Sequence, residues 1–205
     1  MNWSSVGLAA VASSTSGLNL YLTVLALGLM QRYGWLQLPS EWSPLSHTWV
    51  LVVAAILLIL EFIADKIPYL DSAWDIVHTF IRIPAGAILM ASAVANVDPS
   101  VRTVAGLIGG TLALTTHSAK ATVRLAANTS PEPISNVLIS SLEDVATVFL
   151  LGLAASHPIL AAASLAVVLG ICALLIYTCF RFTRRFFQKL NHWWSNPSAE
   201  STSSD

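Results

Sequence analysis

Glu143 and Asp144 stand side by side inside Pro133–Leu153, a run apolar enough to be a membrane helix. A carboxylate at mid-bilayer costs about 2.5–3.5 kcal/mol on insertion scales, so it persists only where partners or water meet it. Wound as a helix, the run puts Asn136, Ser140, Glu143 and Thr147 on one face. Val137, Leu138, Val145, Val148 and Phe149 fall on the other. Carboxylates in that setting can exchange protons, hold a cation, or answer a base from another helix.

The rest of the chain supplies candidates for those partners. The run LEFIADKIPYLD carries Glu61 and Asp65 at i and i+4, and Asp71, Asp75, His78 and Arg82 continue as a polar stripe at helical spacing. Pro84 and Gly86 follow, where a helix is expected to bend or break. In LTTHSAKATVR, His117, Lys120 and Arg124 share a face. The loop NTSPEP then leads into the helix of Glu143, with Pro131 and Pro133 setting its start. Near the N-terminus Thr15, Asn19 and Thr23 recur at i, i+4 and i+8. Either they hydrogen-bond across a helix crossing or Asn19 lines a cavity. Asp71, Lys66 and Glu132 are expected to be interfacial charges that snorkel and pair.

The elements that must position these groups are membrane helices. Of the 205 residues, 55% are hydrophobic and 10% charged, with mean hydropathy +0.69, well below the roughly 25% charge of soluble domains. The expected fold class is all-α, a polytopic bundle of about six transmembrane helices, with two inverted three-helix repeats and broken helices as one arrangement. The segments run Val6–Met30, Thr48–Asp65, Asp75–Val97, Val101–Leu125, Pro133–Ala155 and Ile159–Phe180. Residues 1–180 form the bundle, and 181–194 (RFTRRFFQKLNHWW) read as a basic, aromatic interfacial segment. Residues 195–205 read as a disordered cytoplasmic tail. Trp35, Trp42 and Trp49 look interfacial, and Asp98-Pro99 and His157-Pro158 mark tight turns. No basic n-region precedes the first apolar run, so the first segment is expected to stay as a helix. Cys172 and Cys179 lie on one apolar helix and cannot bridge each other there, and no zinc spacing is present.

Six spans place Lys66, Arg82, Lys120, Arg124, Arg181, Arg184, Arg185 and Lys189 towards one side, against Arg32 and Arg102 on the other. Positive residues favour the cytoplasm, so both termini are expected there, in a multi-pass protein of a bacterial inner membrane. Gly106 and Gly110, with Gly109 beside them, form a small-residue stripe for close helix packing. A shift of about 58 residues lays Glu61–Gly86 loosely on Ala119–Asp144, a weak internal echo.

The runs EFIADKIPYLDSAWDIVHTFIRIPAGA and HSAKATVRLAANTSPEPISNVLISSLED resemble a bacterial family of small integral membrane proteins, the domain of unknown function number 4126. The resemblance extends from about Ser13 to Leu190. It implies a membrane protein with these polar motifs at its centre and carries no substrate or catalytic residue.

The expected function is a transporter or channel for a small ion or solute, with proton coupling as one form. Its substrate or ion site would be drawn from Asn19, Glu61, Asp65, Asp75, His78, Arg82, His117, Lys120, Arg124, Asn136, Ser140, Glu143 and Asp144. One alternative is binding or flipping of a phosphate-headed lipid through Arg82, Lys120 and Arg124. A structural membrane subunit is another. An enzyme is not expected, because Ser140, His117 and Asp144 come without a nucleophile motif. Glu61, Asp65, His78, His117 and Glu143 have the chemistry of metal ligands, which leaves a metal open beside Lys120 and Arg124. No cofactor is expected. The expected partners are the lipid bilayer and a small ion or solute, a homo-oligomer is compatible, and the net charge of −1 speaks against nucleic acid.

Overall fold

A computed structural model of the chain describes residues 3–67, 70–128 and 133–195. Seven α-helices follow one another: α1 (Trp3–Leu18), α2 (Leu20–Arg32), α3 (Thr48–Ala64), α4 (Leu70–Ala93), α5 (Pro99–Ala127), α6 (Pro133–Ser156) and α7 (Pro158–Ser195). A 3-10 turn over Ser40–Ser46 leads into α3, and no strand occurs among the described residues. The starts follow local chemistry. Asp98 caps α5 ahead of Pro99, its side chain accepting from the Ser100 amide at 2.8 Å. Only His157 separates α6 from α7, because Pro158 can begin a helix but not continue one.

The distribution of side chains is reversed relative to a soluble protein. Phe80, Ile88, Leu107, Leu138, Phe149 and Leu174 are exposed, while Glu61 and Arg82 are 0% exposed. By length and composition three helices can cross a membrane: Leu70–Ala93, Ile134–Ser156 within α6 and Ile159–Arg185 within α7. The 3-10 turn and α3, bent by 64°, make a fourth if taken as one span.

The first segment departs from the sequence reading. The chain breaks at Asn19, which takes an extended conformation (φ −144°, ψ 100°) and caps α2 by accepting from the Leu22 amide. Contacts fix the direction of each half. Ser13 Oγ donates to the Gly86 carbonyl and Arg82 donates to that of Gly17, so α1 is antiparallel to α4. Further along, Leu22 lies beside Ile59 and Phe62, whereas Gly28 packs on Leu45 and Leu51, so α2 is antiparallel to α3. Trp42, just before α3, donates to Ser92 near the end of α4. The start of α1 and the end of α2 therefore lie at the same end of the bundle, with Asn19 at the tip of a hairpin that reaches its polar middle. At 1.5 Å per residue, α1 spans about 24 Å and α2 about 20 Å, each short of a 30 Å bilayer core. The segment Val6–Met30 is thus not one continuous helix. The start of α1 and the far end of α7 lie at opposite ends of the bundle.

Two smaller expectations also change. Helix α4 runs unbroken through Pro84. The tight helix crossing lies at Gly109 rather than at Gly106 and Gly110: a Cβ on Gly109 would overlap the Gly86 carbonyl, whereas Gly106 and Gly110 meet neighbouring Ala methyls at an ordinary 3.5 Å. The basic segment 181–194 continues α7 as helix to Ser195. The tail from residue 196, and Glu132 with residues 129–131, lie outside the described residues.

Candidate functional site

The hairpin tip meets the polar faces of α3, α4, α5 and α6. Where α1 ends, its last carbonyls have no helical partner. The Gly17 carbonyl faces Arg82 Nη1 at 3.4 Å and the Leu18 carbonyl accepts from Lys120 Nζ at 2.9 Å. These cations sit at the negative end of the α1 dipole, which favours their charge there.

Around the two cations the carboxylates close in. Glu61 Oε1 pairs with Arg82 Nη2 and lies 3.3 Å from Lys120 Nζ. Asp75 Oδ1 is 3.3 Å from Arg82 and 3.9 Å from Lys120. Glu143 Oε2 lies 3.2 Å from Lys120 and 2.9 Å from Arg124 Nη2. Arg124 grips Asp65 with both arms, at 2.9 and 2.7 Å, the fork geometry that guanidinium offers a carboxylate. Ser140 Oγ reaches the same Asp65 at 3.4 Å. One layer further, Asn128 Nδ2 donates to Asp71 at 3.0 Å and to Ser72, while Asn136 Nδ2 donates to Asn128 Oδ1 at 3.2 Å. Arg124 Nη1 also lies 3.8 Å from Asp71.

The two histidines have different roles because their partners differ. Arg82 is donor-only and lies 3.2 Å from His117 Nδ1, so that nitrogen accepts. The proton of His117 is then on Nε2, donated to Thr79 Oγ1 at 2.7 Å, while Thr79 donates onward to the Asp75 carbonyl. His78 Nδ1 must donate to the Trp74 carbonyl at 2.8 Å, since a carbonyl only accepts. Its Nε2 faces the Tyr21 hydroxyl at 2.8 Å, a group that can donate or accept. Its ring is tilted against Trp74 at 4.7 Å and meets the Tyr21 ring edge-on at 5.5 Å.

The structure brings Glu61, Asp65, Asp75, Arg82, His117, Lys120, Arg124, Ser140 and Glu143 into one connected cluster. His78 joins it through α4, and Asn136 through Asn128 and Asp71. Asn19 and Asp144 form a separate contact at its edge, Asn19 Nδ2 donating to Asp144 Oδ1 at 2.9 Å. Asp71 is fully buried, not a snorkelling surface charge, because Asn128 folds over it. Lys66 lies over the Phe62 ring at 2.8 Å from its centre and donates to the Phe62 carbonyl, with no acid paired to it among the described ion pairs. Tyr21, Thr79 and Asn128 escaped the sequence reading. The first lies in an apolar run and the last looked like loop.

Ser140, His117 and Asp144 are held by Asp65, by Thr79 with Arg82, and by Asn19, so they do not form a relay with one another. Among the described residues no group of three or more His, Cys, Asp or Glu side chains is arranged to hold a metal. Lys120 and Arg124 occupy the space between the acids. A cavity of about 130 Å³ between α4 and α5, with Ser72, Asp75, Thr79 and His117 in its lining, opens onto the cluster.

In comparisons with known proteins, a family model described as Domain of unknown function (DUF4126) matches residues 6–178. No curated protein and no solved structure matches the chain.

Proposed function

The chain belongs to this family, whose description carries no activity, and from the site itself we propose a membrane transporter or channel for a small ion or solute that works with protons. One observation carries the reading: five carboxylates (Glu61, Asp65, Asp71, Asp75, Glu143) share three cations (Arg82, Lys120, Arg124) in a nearly sealed core. Two negative charges are left over. Burial makes uncompensated charge costly, so the cluster favours taking up protons or a cation. Glu61 is 0% exposed, and its Oε2 has no hydrogen-bond partner among the described residues.

Coupling to movement runs through the hairpin tip. Lys120 binds both Glu143 and the open end of α1, so neutralising Glu143 frees Lys120 to favour Glu61 and the Leu18 carbonyl. The cavity beside Asp75 and His117 offers a route to the cluster. In this reading the protein is multi-pass in a bacterial inner membrane. The end holding Lys66, Arg181, Arg184 and Arg185 faces the cytoplasm, and α1 begins on the opposite side. Binding of a phosphate-headed lipid draws little support, since Arg82, Lys120 and Arg124 each already face at least two carboxylates.

The test is the full chain in liposomes that enclose a pH-sensitive dye, with a pH gradient imposed. Wild type should dissipate the gradient faster than empty liposomes, and Glu143→Gln should slow it by about tenfold or more, a loss of about 1.4 kcal/mol in the rate-limiting step. Equal rates for wild type, Glu143→Gln and empty liposomes would sink the proton-coupled reading.

A further inference from the structure

A second feature lies outside the ion-pair cluster. Helices α2, α3 and α6 enclose a crevice of about 720 Å³, open along the outer surface of the bundle. Leu22, Ile59, Phe62, Val148 and Phe149 are among its walls, and Asp144 is the one polar side chain in its described lining. The size falls within the range of small-molecule sites.

Asp144 differs from its neighbour Glu143. Glu143 has Lys120 and Arg124 within 3.2 Å, whereas Asp144 takes part in none of the ion pairs among the described residues. Its one described hydrogen-bond donor is the neutral Asn19 amide, which steadies the carboxylate without cancelling its charge. The nearest basic side chain along α3, Lys66, is folded onto the Phe62 ring and its carbonyl. A carboxylate outside every described ion pair, in the wall of an apolar crevice, is complemented by a hydrocarbon body carrying a positive head.

We propose that this crevice binds an amphiphilic organic cation, its ammonium on Asp144 and its hydrocarbon against α2, α3 and α6. The ligand reaches it sideways from the hydrocarbon layer. Asn19 then links the crevice to the hairpin, because the same side chain caps α2 through its oxygen and holds Asp144 through its nitrogen. The site stands whether or not the ion-pair cluster moves protons, since binding here is an equilibrium property that needs no gradient.

The probe is decylammonium, titrated into the full chain in lipid nanodiscs with empty nanodiscs subtracted, and decanol and decanoate as chain-matched competitors. Saturable one-to-one binding is expected, with neither competitor displacing the probe. Asp144→Asn keeps the shape and a hydrogen bond to Asn19, and should weaken binding about tenfold or more, the loss expected for a charge-assisted bond. Ile59→Trp on α3 fills the crevice from the other wall and leaves α6 unchanged, and it should abolish binding, which keeps the proposal testable if Asp144→Asn does not fold. Displacement by decanol as effective as by the cation would make the crevice a seat for any acyl chain. That result, binding unchanged in either variant, or no saturable binding at all would overturn the proposal.

Discussion

Arg124 shows what the cluster demands of a single residue. It is 2% exposed, forks onto Asp65, reaches Glu143, and lies 3.8 Å from Asp71 and 3.6 Å from Asp75. Replacing it with Ala leaves several buried carboxylates with less compensation. Breaking a buried pair from one side costs about 3–5 kcal/mol, so Arg124→Ala should lower the unfolding midpoint in detergent sharply. Arg124→Lys keeps the charge and loses the fork, which should place it between the two. Adding Asp65→Asn to Arg124→Ala removes the carboxylate left most exposed by the loss and should restore part of the stability. A double variant no more stable than Arg124→Ala would mean that Asp65 is not the group being compensated.

Much of this chemistry is visible in residue spacing. Glu61 and Asp65 at i and i+4 on α3 face Lys120 and Arg124 at i and i+4 on α5, and each acid meets the corresponding base. Such pairing follows from helical periodicity once two polar faces are packed together. Asp71 was harder to place, because its burial depends on Asn128, a residue that reads as the start of a loop and instead folds back over α4. Tyr21 carries no spacing signal. Its role comes from the turn at Asn19, which aims α2 at His78.

At the scale of elements, two features govern how the helices meet. The first is the crossing of α4 and α5, where Gly109 lies against the Gly86 carbonyl and the Met90 side chain. Gly109→Val would force the helices apart, and overpacking of this kind costs about 1–3 kcal/mol. The same change at Gly106 meets the Ala91 methyl at 3.5 Å and the Ala87 carbonyl at 3.6 Å, ordinary contact distances, so it should be milder. A thermal melt of the two variants decides this, and equal losses would mean that the crossing is not held at Gly109. The second is the start of α5, where the Ser100 hydroxyl and amide both donate to Asp98 and hold it below the ordinary carboxylate range. A depressed folded value means that the stabilising contribution is complete above the ordinary carboxylate value and fades as pH falls through the lowered one. Protection of the first-turn amides of α5, taken relative to the exchange of an unstructured chain at the same pH, should fall on that acidic side, and Asp98→Ala should remove that fall.

Helices α3 to α7 were legible because each is a long apolar run bounded by Pro, Asp-Pro or a polar turn. The break at Asn19 was not, since no Pro or Gly occupies the position itself, and the small polar stretch Ser13–Gly17 before it is compatible with a helix crossing as well as with a break. The available signal was chemical: Asn is among the strongest helix N-caps, and a buried Asn inside an apolar stretch has to spend its side chain on something. Here the oxygen of that side chain starts a new helix and its nitrogen holds a carboxylate.

For the molecule as a whole, the proposed topology turns on the hairpin, which would change its parity. Six crossings would return the chain to the side on which it started. In the proposed arrangement α1 enters and α2 leaves at one end and α3 to α7 each cross once, which puts Arg185 on the side opposite Ser5. The positive-inside bias stays intact, because Lys66 and the Arg181–Arg185 group remain at one end and Arg102 at the other. Single cysteines in a background with Cys172 and Cys179 changed to Ser separate the two arrangements. In intact cells, a membrane-impermeant maleimide should label Ser5→Cys, Glu41→Cys and Arg102→Cys, and reach Lys66→Cys and Arg185→Cys only after permeabilisation. The diagnostic pair is Ser5 and Arg185. A hairpin puts them on opposite faces, an unbroken first span puts them on the same one, and labelling of both under the same condition would return α1 and α2 to a single crossing.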